Sequence, residues 1–183
     1  MPDRSPNPVF SYLDSIVAAE RAFESQLRAF AIEGDDNEVQ AMFAEHAEET
    51  RLQHERLAAR LQELGGASSA GKSALAYIFG LAPRAAQLAR IEEERTVQNL
   101  IVGYTIETSE CAMYEALLTV AGAAGDAHTS SLARQIQSEE ARAAEKMWHF
   151  IRTRSIIAYN MLTISEIDPA VETKVGEASW TTS

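Results

Sequence analysis

Residues 104–114 read Tyr104-Thr105-Ile106-Glu107-Thr108-Ser109-Glu110-Cys111-Ala112-Met113-Tyr114. At helical spacing Glu107 shares a face with Tyr104, Cys111 and Tyr114. Glu110 shares one with Ile106, Met113 and Leu117. The two carboxylates therefore straddle the side of the helix that should be buried. A buried carboxylate is costly unless it is paired, protonated or bound to a cation. Two of them one turn apart repel unless a cation or a proton lies between them.

Three other stretches repeat the pattern: Ala18-Ala19-Glu20, His46-Ala47-Glu48-Glu49-Thr50 and Ser138-Glu139-Glu140. Glu20 has Ile16, Val17, Phe23 and Leu27 as helical neighbours, which puts it on an apolar face. In the second stretch His46, Glu49 and Gln53 follow one face at steps of three and four. In the fourth, Glu140 follows Ile136 by four and precedes Met147 by seven, so it reads as the inward residue and Glu139 as an outer neighbour. Four helices that each turn one or two carboxylates inward is how a helix bundle builds a two-metal site. Each residue also has a plainer reading. Glu20 can snorkel to water from the edge of its stripe, His46 can be a hydrogen-bonded core residue, and Tyr104 and Tyr114 can be packing groups with satisfied hydroxyls.

Working outward, the periodicity predicts a first helix from about Val9 to Ile32, with Leu13, Ile16, Val17, Phe23, Leu27 and Phe30 as its stripe. Glu33-Gly34-Asp35-Asp36-Asn37 breaks it and offers an N-cap. A second helix runs from about Asn37 to Leu64, through Val39, Phe43, His46, Gln53, Leu57, Leu61 and Leu64, and Gly65-Gly66 ends it. Residues 65–92 read as a long crossover with one or two short helical turns. A third helix spans about Ile91 to Val120, through Val97, Leu100, Ile101, Tyr104, Glu107, Cys111, Tyr114 and Leu118. A fourth begins near Ser130 and carries Leu132, Ile136, Met147, Phe150 and Ile151. Residues 156–164 either continue it or form a short fifth C-terminal helix. The expected organisation is a flexible lead at 1–8, an all-α bundle at 9–166 and a loose tail at 167–183. Short links make helices one and two, and three and four, antiparallel neighbours. The long link lets two and three run parallel, which is the ferritin-like arrangement of an antiparallel four-helix bundle.

The 183-residue chain is long enough for one domain with a sizeable core. Its formal net charge of −11 argues against nucleic-acid binding through phosphate neutralisation. No apolar run approaches the ~20 residues of a membrane span. The single cysteine, Cys111, excludes an intramolecular disulfide, and with the absence of an apolar leader the expectation is a cytoplasmic protein. Gly71-Lys72-Ser73 lacks the upstream glycine of a phosphate-binding loop and reads as an ordinary loop.

Taken in order, Ala19-Glu20, His46-x-x-Glu49-Thr50-x-x-Gln53-x-x-Arg56-Leu57, Glu107-x-x-Glu110-x-x-x-Tyr114 and Glu139-Glu140 resemble the bacterial YciE/YciF-like ferritin-like proteins, and more distantly the rubrerythrins. The resemblance spans most of residues 9–155. It implies a di-iron-type carboxylate bundle, a homodimer and a link to stress responses. It also implies metal ligation by Glu20, Glu49, Glu107, Glu110 and Glu140, with His46, Gln53 and Tyr114 beside them as orienting partners. Two divalent ions are expected, iron first and manganese as the alternative. The chain departs from the pattern at two places. Leu52 stands where a rubrerythrin-like site has a histidine, and Ala144 where it has a further ligand.

Two functions follow as expectations. A loaded site would handle oxygen, peroxide or iron, as an oxidase- or peroxidase-type enzyme. The absence of a Cys-x-x-Cys motif then calls for an external electron donor. The alternative is a non-catalytic helical metal-binding or stress-induced interaction protein with a degenerate site.

Overall fold

Asp36 opens the second helix as an N-cap, with its carboxylate accepting from the backbone N–H groups of Glu38 and Val39 at 3.1 and 3.0 Å. Asp126 does the same for the last helix, accepting from Thr129 N at 3.0 Å. Gly34 and Gly125 precede these caps with φ of 75° and 73°, the left-handed turn that favours glycine.

The computed structural model describes residues 8–66 and 91–167. They form α1 (Pro8–Phe30), α2 (Asn37–Glu63), α3 (Glu92–Ala123) and α4 (Ala127–Ile167). No strand occurs among the described residues. The lead at 1–7, the short helical turns expected in the crossover, the loop at Gly71-Lys72-Ser73 and the tail at 168–183 lie outside them.

Which residues share a level fixes the topology. At one end, Val9 and Leu13 of α1 pack with Leu57 and Leu61 of α2, Tyr114, Leu117 and Ala121 of α3, and Ala133 and Ile136 of α4. At the other, Leu27 and Phe30 meet Val39, Met42, Phe43, Leu100 and Met147. The start of α2 is thus level with the start of α3, and those two helices run parallel. The chain between them must cover the length of α2, roughly 40 Å at 1.5 Å per residue. This is the expected crossover. Burial of each large side chain in these two clusters contributes about 1.5–3 kcal/mol.

Two details differ from expectation. The buried seam of α3 is Thr96, Asn99, Leu100, Gly103, Ile106, Glu107, Glu110, Tyr114, Leu117 and Ala121. It lies between the two faces assigned from periodicity, so Ile101 is exposed and Tyr104 stacks on the half-exposed Trp148 at 5.2 Å. Apolar residues all round this helix blur its phase, and close helix–helix contact decides it. A Cβ on Gly103 would lie 2.9 Å from Met147 Sδ and 3.0 Å from Phe43 Cε1, which marks where neighbouring side chains press against α3. The second detail is α4, which begins at Ala127 and runs unbroken to Ile167, so residues 156–164 continue the fourth helix. Ala158 is the last buried residue among its described side chains, and Ile156, Ile157 and Tyr159 are exposed.

α2 and α4 are clamped at both ends by the same device. Arg154 reaches Asp36 at 2.6 Å, and Arg60 grips both oxygens of Asp126 at 2.9 Å. Each arginine thus binds the capping aspartate of the opposite helix.

Candidate metal centre

Between the two apolar clusters the bundle turns polar. Glu20 from α1, Glu107 and Glu110 from α3 and Glu140 from α4 are each at most 1% exposed. The steps that bury their neighbours bury them as well. Val17, Glu20, Phe23 and Leu27 form one such series, and Ile136, Glu140, Ala143 and Met147 another.

His46 of α2 faces this group. Its Nε2 lies 2.7 Å from Glu107 Oε2 and 3.6 Å from Glu140 Oε2. Its Nδ1 lies 3.1 Å from Glu49 Oε2. One ligand atom each from His46, Glu107 and Glu140 fall within 4.8 Å of one another, close enough to share an ion. The Tyr114 hydroxyl, fully buried, donates to Glu20 Oε1.

Many of the remaining polar atoms have no partner. Glu20 Oε2, Glu107 Oε1, both oxygens of Glu110, both of Glu140 and Gln53 Oε1 are buried without a hydrogen bond. Orphaned buried acceptors are rare in folded proteins, and a missing cation is one standard cause. The electrostatics carry the same message. Burial raises Glu20 to about 8, against the Tyr114 hydroxyl and helped by the charge of Glu107. Burial and the surrounding carboxylates hold Glu110 and Glu140 well above the usual range. Burial works against a charged His46, but Glu107 and Glu49 outweigh it and lift the imidazole to about 9.

On α2 the structure exchanges the expected places of two residues. Glu49, expected among the inward carboxylates, has a side chain 57% exposed, while His46, expected as an orienting neighbour, stands among the carboxylates. The buried series of α2 steps Val39, Phe43, His46, Thr50, Gln53, Leu57 and Leu61, which passes over Glu49. That strict stepping was the signal that distinguishes the two. Leu52 is exposed and points away from the centre, so its lack of a donor atom removes nothing from this geometry. Ala144 is buried and offers no ligand.

An outer layer orients α4. Arg56 binds Glu139 through both oxygens, at 2.5 and 3.2 Å, and Gln53 Nε2 donates to Glu139 at 3.1 Å. This fixes the residue next to Glu140. Periodicity alone did not reveal the Arg56–Glu139 pair, because it joins two helices that are distant in sequence.

The donor set fits divalent cations. Oxygen-rich sites with one imidazole suit iron, manganese or similar ions. Four carboxylates from Glu20, Glu107, Glu110 and Glu140 would balance the four charges of two such ions.

Comparison with known proteins places the scaffold. Residues 10–158 match the family described as a domain of unknown function, DUF892. Among solved structures, the Escherichia coli stress protein YciF has a TM-score of 0.72 at 19% identity, with 80% of this chain and 94% of that chain covered. The YcfI protein of Rhodopseudomonas palustris gives 0.71 at 21% identity, over 76% of this chain and 89% of its own. A dodecameric thioferritin, the bacterioferritin-related protein of Bacteroides fragilis, gives 0.62 at 19% identity, over 84% and 90%. No curated protein sequence matches the chain. At these identities the likeness is one of fold, and the fold is the ferritin-like bundle expected from the carboxylate motifs. The chain belongs to the DUF892 family.

Proposed function

We propose that the bundle is a di-metal carboxylate protein that binds two divalent cations, with iron as the resident metal and manganese as the alternative. The observation that carries this reading is the set of partnerless, buried carboxylate oxygens on Glu20, Glu107, Glu110 and Glu140 around His46. His46, Glu107 and Glu140 would hold one ion. Glu20 and Glu110 complete the set for the second. A redox-active pair held by these residues would supply electrons to oxygen or peroxide.

The chain's own residues supply the surroundings. The apolar clusters on either side exclude water and strengthen each charge interaction. Tyr114 holds Glu20 by donating its hydroxyl to Oε1, and burial keeps that phenol protonated. Glu49 orients the His46 ring through Nδ1. The chain contains no Cys-x-x-Cys motif, so turnover of a redox reaction takes electrons from an external donor. We infer handling of oxygen, peroxide or iron in a stress setting, by a cytoplasmic homodimer. The alternative, a non-catalytic metal-binding or interaction protein, is favoured by Ala144, which leaves α4 one ligand short of a rubrerythrin-like set.

Metal analysis after purification without chelator tests the reading. About two Fe or Mn per chain are expected, with loss in Glu107→Ala and Glu140→Ala. A folded protein that holds less than about 0.2 metal per chain and takes up none on addition sinks it.

A further inference from the structure

The carboxylates of the centre are sealed inside the bundle, yet an ion must reach them. The end clamps Arg154–Asp36 and Arg60–Asp126 hold α2 and α4 together at their extremities. Between the clamps these helices leave a cleft of about 200 Å³, lined among others by Glu45, His46, Glu49, Arg142, Ala143 and Lys146. Of the centre's residues, His46 is the one that lines it. Its imidazole is thus the wall between the cleft and the buried carboxylates.

Glu49 spans that wall. Its side chain is 57% exposed, and its Oε2 is 3.1 Å from His46 Nδ1. A carboxylate with one side in water and the other on the imidazole can meet an ion without the full cost of desolvation. Ala143, 8% exposed, forms part of the lining from α4, and any larger side chain there would fill the space. The basic residues temper the mouth. Lys146 pairs with Glu45 at 2.6 Å, and Arg142 donates to Ser138 O of its own helix at 3.1 Å. Transit requires a site attractive enough to admit an ion and weak enough to release it inward. Three acids, Glu45, Glu49 and Glu139, beside two bases meet that requirement better than an all-acidic mouth.

We propose that the cleft between α2 and α4 is the route by which divalent cations reach the buried centre, with Glu49 as the carboxylate that receives the ion and Ala143 as the small side chain that keeps the passage open. This rests on the metal-binding reading and assigns Glu49 a transit role in place of permanent ligation.

The test is the rate of Co(II) uptake by the chelator-stripped full chain, followed by stopped flow against a chromophoric competitor. Glu49→Gln and Ala143→Leu should each slow uptake at least about tenfold, equivalent to about 1.4 kcal/mol in barrier. In Ala143→Leu release should slow in parallel, so that Kd stays within about twofold, because a passage acts on both directions. Glu24→Gln, on α1 away from the cleft, should leave both unchanged. Unchanged uptake in Glu49→Gln overturns the route, and this exposed position keeps the test valid should Ala143→Leu fail to fold. Normal uptake with weakened Kd in Glu49→Gln also overturns it, since Glu49 then acts on the bound ion, directly or through His46, and not on its passage. Wild-type protein that takes up no Co(II) overturns the metal reading itself, and the route with it.

Discussion

His46 Nε2 lies 2.7 Å from Glu107 Oε2, joining α2 to α3 through the middle of the bundle. The imidazole also contacts Glu49 and stands near Glu140. In the metal-free protein a charged His46 supplies the one positive charge among these acids and stands in for a cation. To ligate a metal, the same nitrogen must give up its proton and its hold on Glu107. His46 is therefore central to both states.

His46→Ala tests both roles. In chelator the variant should lose about 3 kcal/mol, the cost of removing one partner from a buried pair. Urea denaturation checks this. Added Co(II) should then bind with stoichiometry below wild type, because the only nitrogen donor of the cluster is gone.

The raised groups set a pH dependence for the metal-free protein. Glu20 moves from 4.5 to about 8, so the folded state holds its proton more tightly than the unfolded one. That contribution is full below 4.5 and is lost as pH rises through about 8. His46 moves from 6.5 to about 9, and its contribution is lost as pH rises through about 9. Metal-free protein should therefore lose stability steadily between those limits, whereas metal-loaded protein should not. Metal binding near pH 7 should also release protons. Calorimetry in buffers of different ionisation enthalpy reads that release directly, and an absence of it would contradict the protonated metal-free site.

Neither oxygen of Glu110 accepts from a donor, and Glu20 is its carboxyl neighbour, so its charge burdens the fold unless a cation or a proton lies between them. Glu110→Gln removes the charge while keeping the shape. In chelator at alkaline pH the variant should be more stable than wild type by about 1 kcal/mol, since a neutral amide escapes the burial cost and the repulsion from Glu20, Glu140 and Glu107 that raise Glu110. The same variant should bind fewer ions. Lower stability in chelator would mean that a proton shared between Glu110 and Glu20 contributes to the metal-free fold.

Much of this was legible in the chain because one rule writes both core and centre. Steps of three and four bury Phe23 and Leu27, and they bury Glu20 with them. The crossover followed from the separation of the glycine pair Gly65-Gly66 from the third helix. The choice between His46 and Glu49 was blurred because both lie near the same face, and family analogy favours the glutamate. The phase of α3 was blurred because Ile101 and Tyr104 are as apolar as the residues that are buried. The Arg56–Glu139 and Arg60–Asp126 contacts were not legible at all, since pairing between α2 and α4 depends on how the two hairpins dock.

Asp126 offers a test of that docking. Its carboxylate caps α4 and accepts both bonds from Arg60. Burial opposes its charge, but Thr129 and Arg60 hold it down at about 2. A depressed carboxylate contributes above its ordinary 3.8 and loses that contribution as pH falls through about 2. Asp126→Asn keeps a good cap and removes the charge pair. It should cost about 1 kcal/mol at neutral pH, discounted for solvent screening, and little at pH 2. Asp126→Ala loses the cap as well and should cost about 1 kcal/mol more. Denaturation of the three proteins between pH 2 and 7 separates the terms. An equal loss for Asp126→Asn at both ends of that range would show that the Arg60 pair contributes nothing to holding α2 against α4.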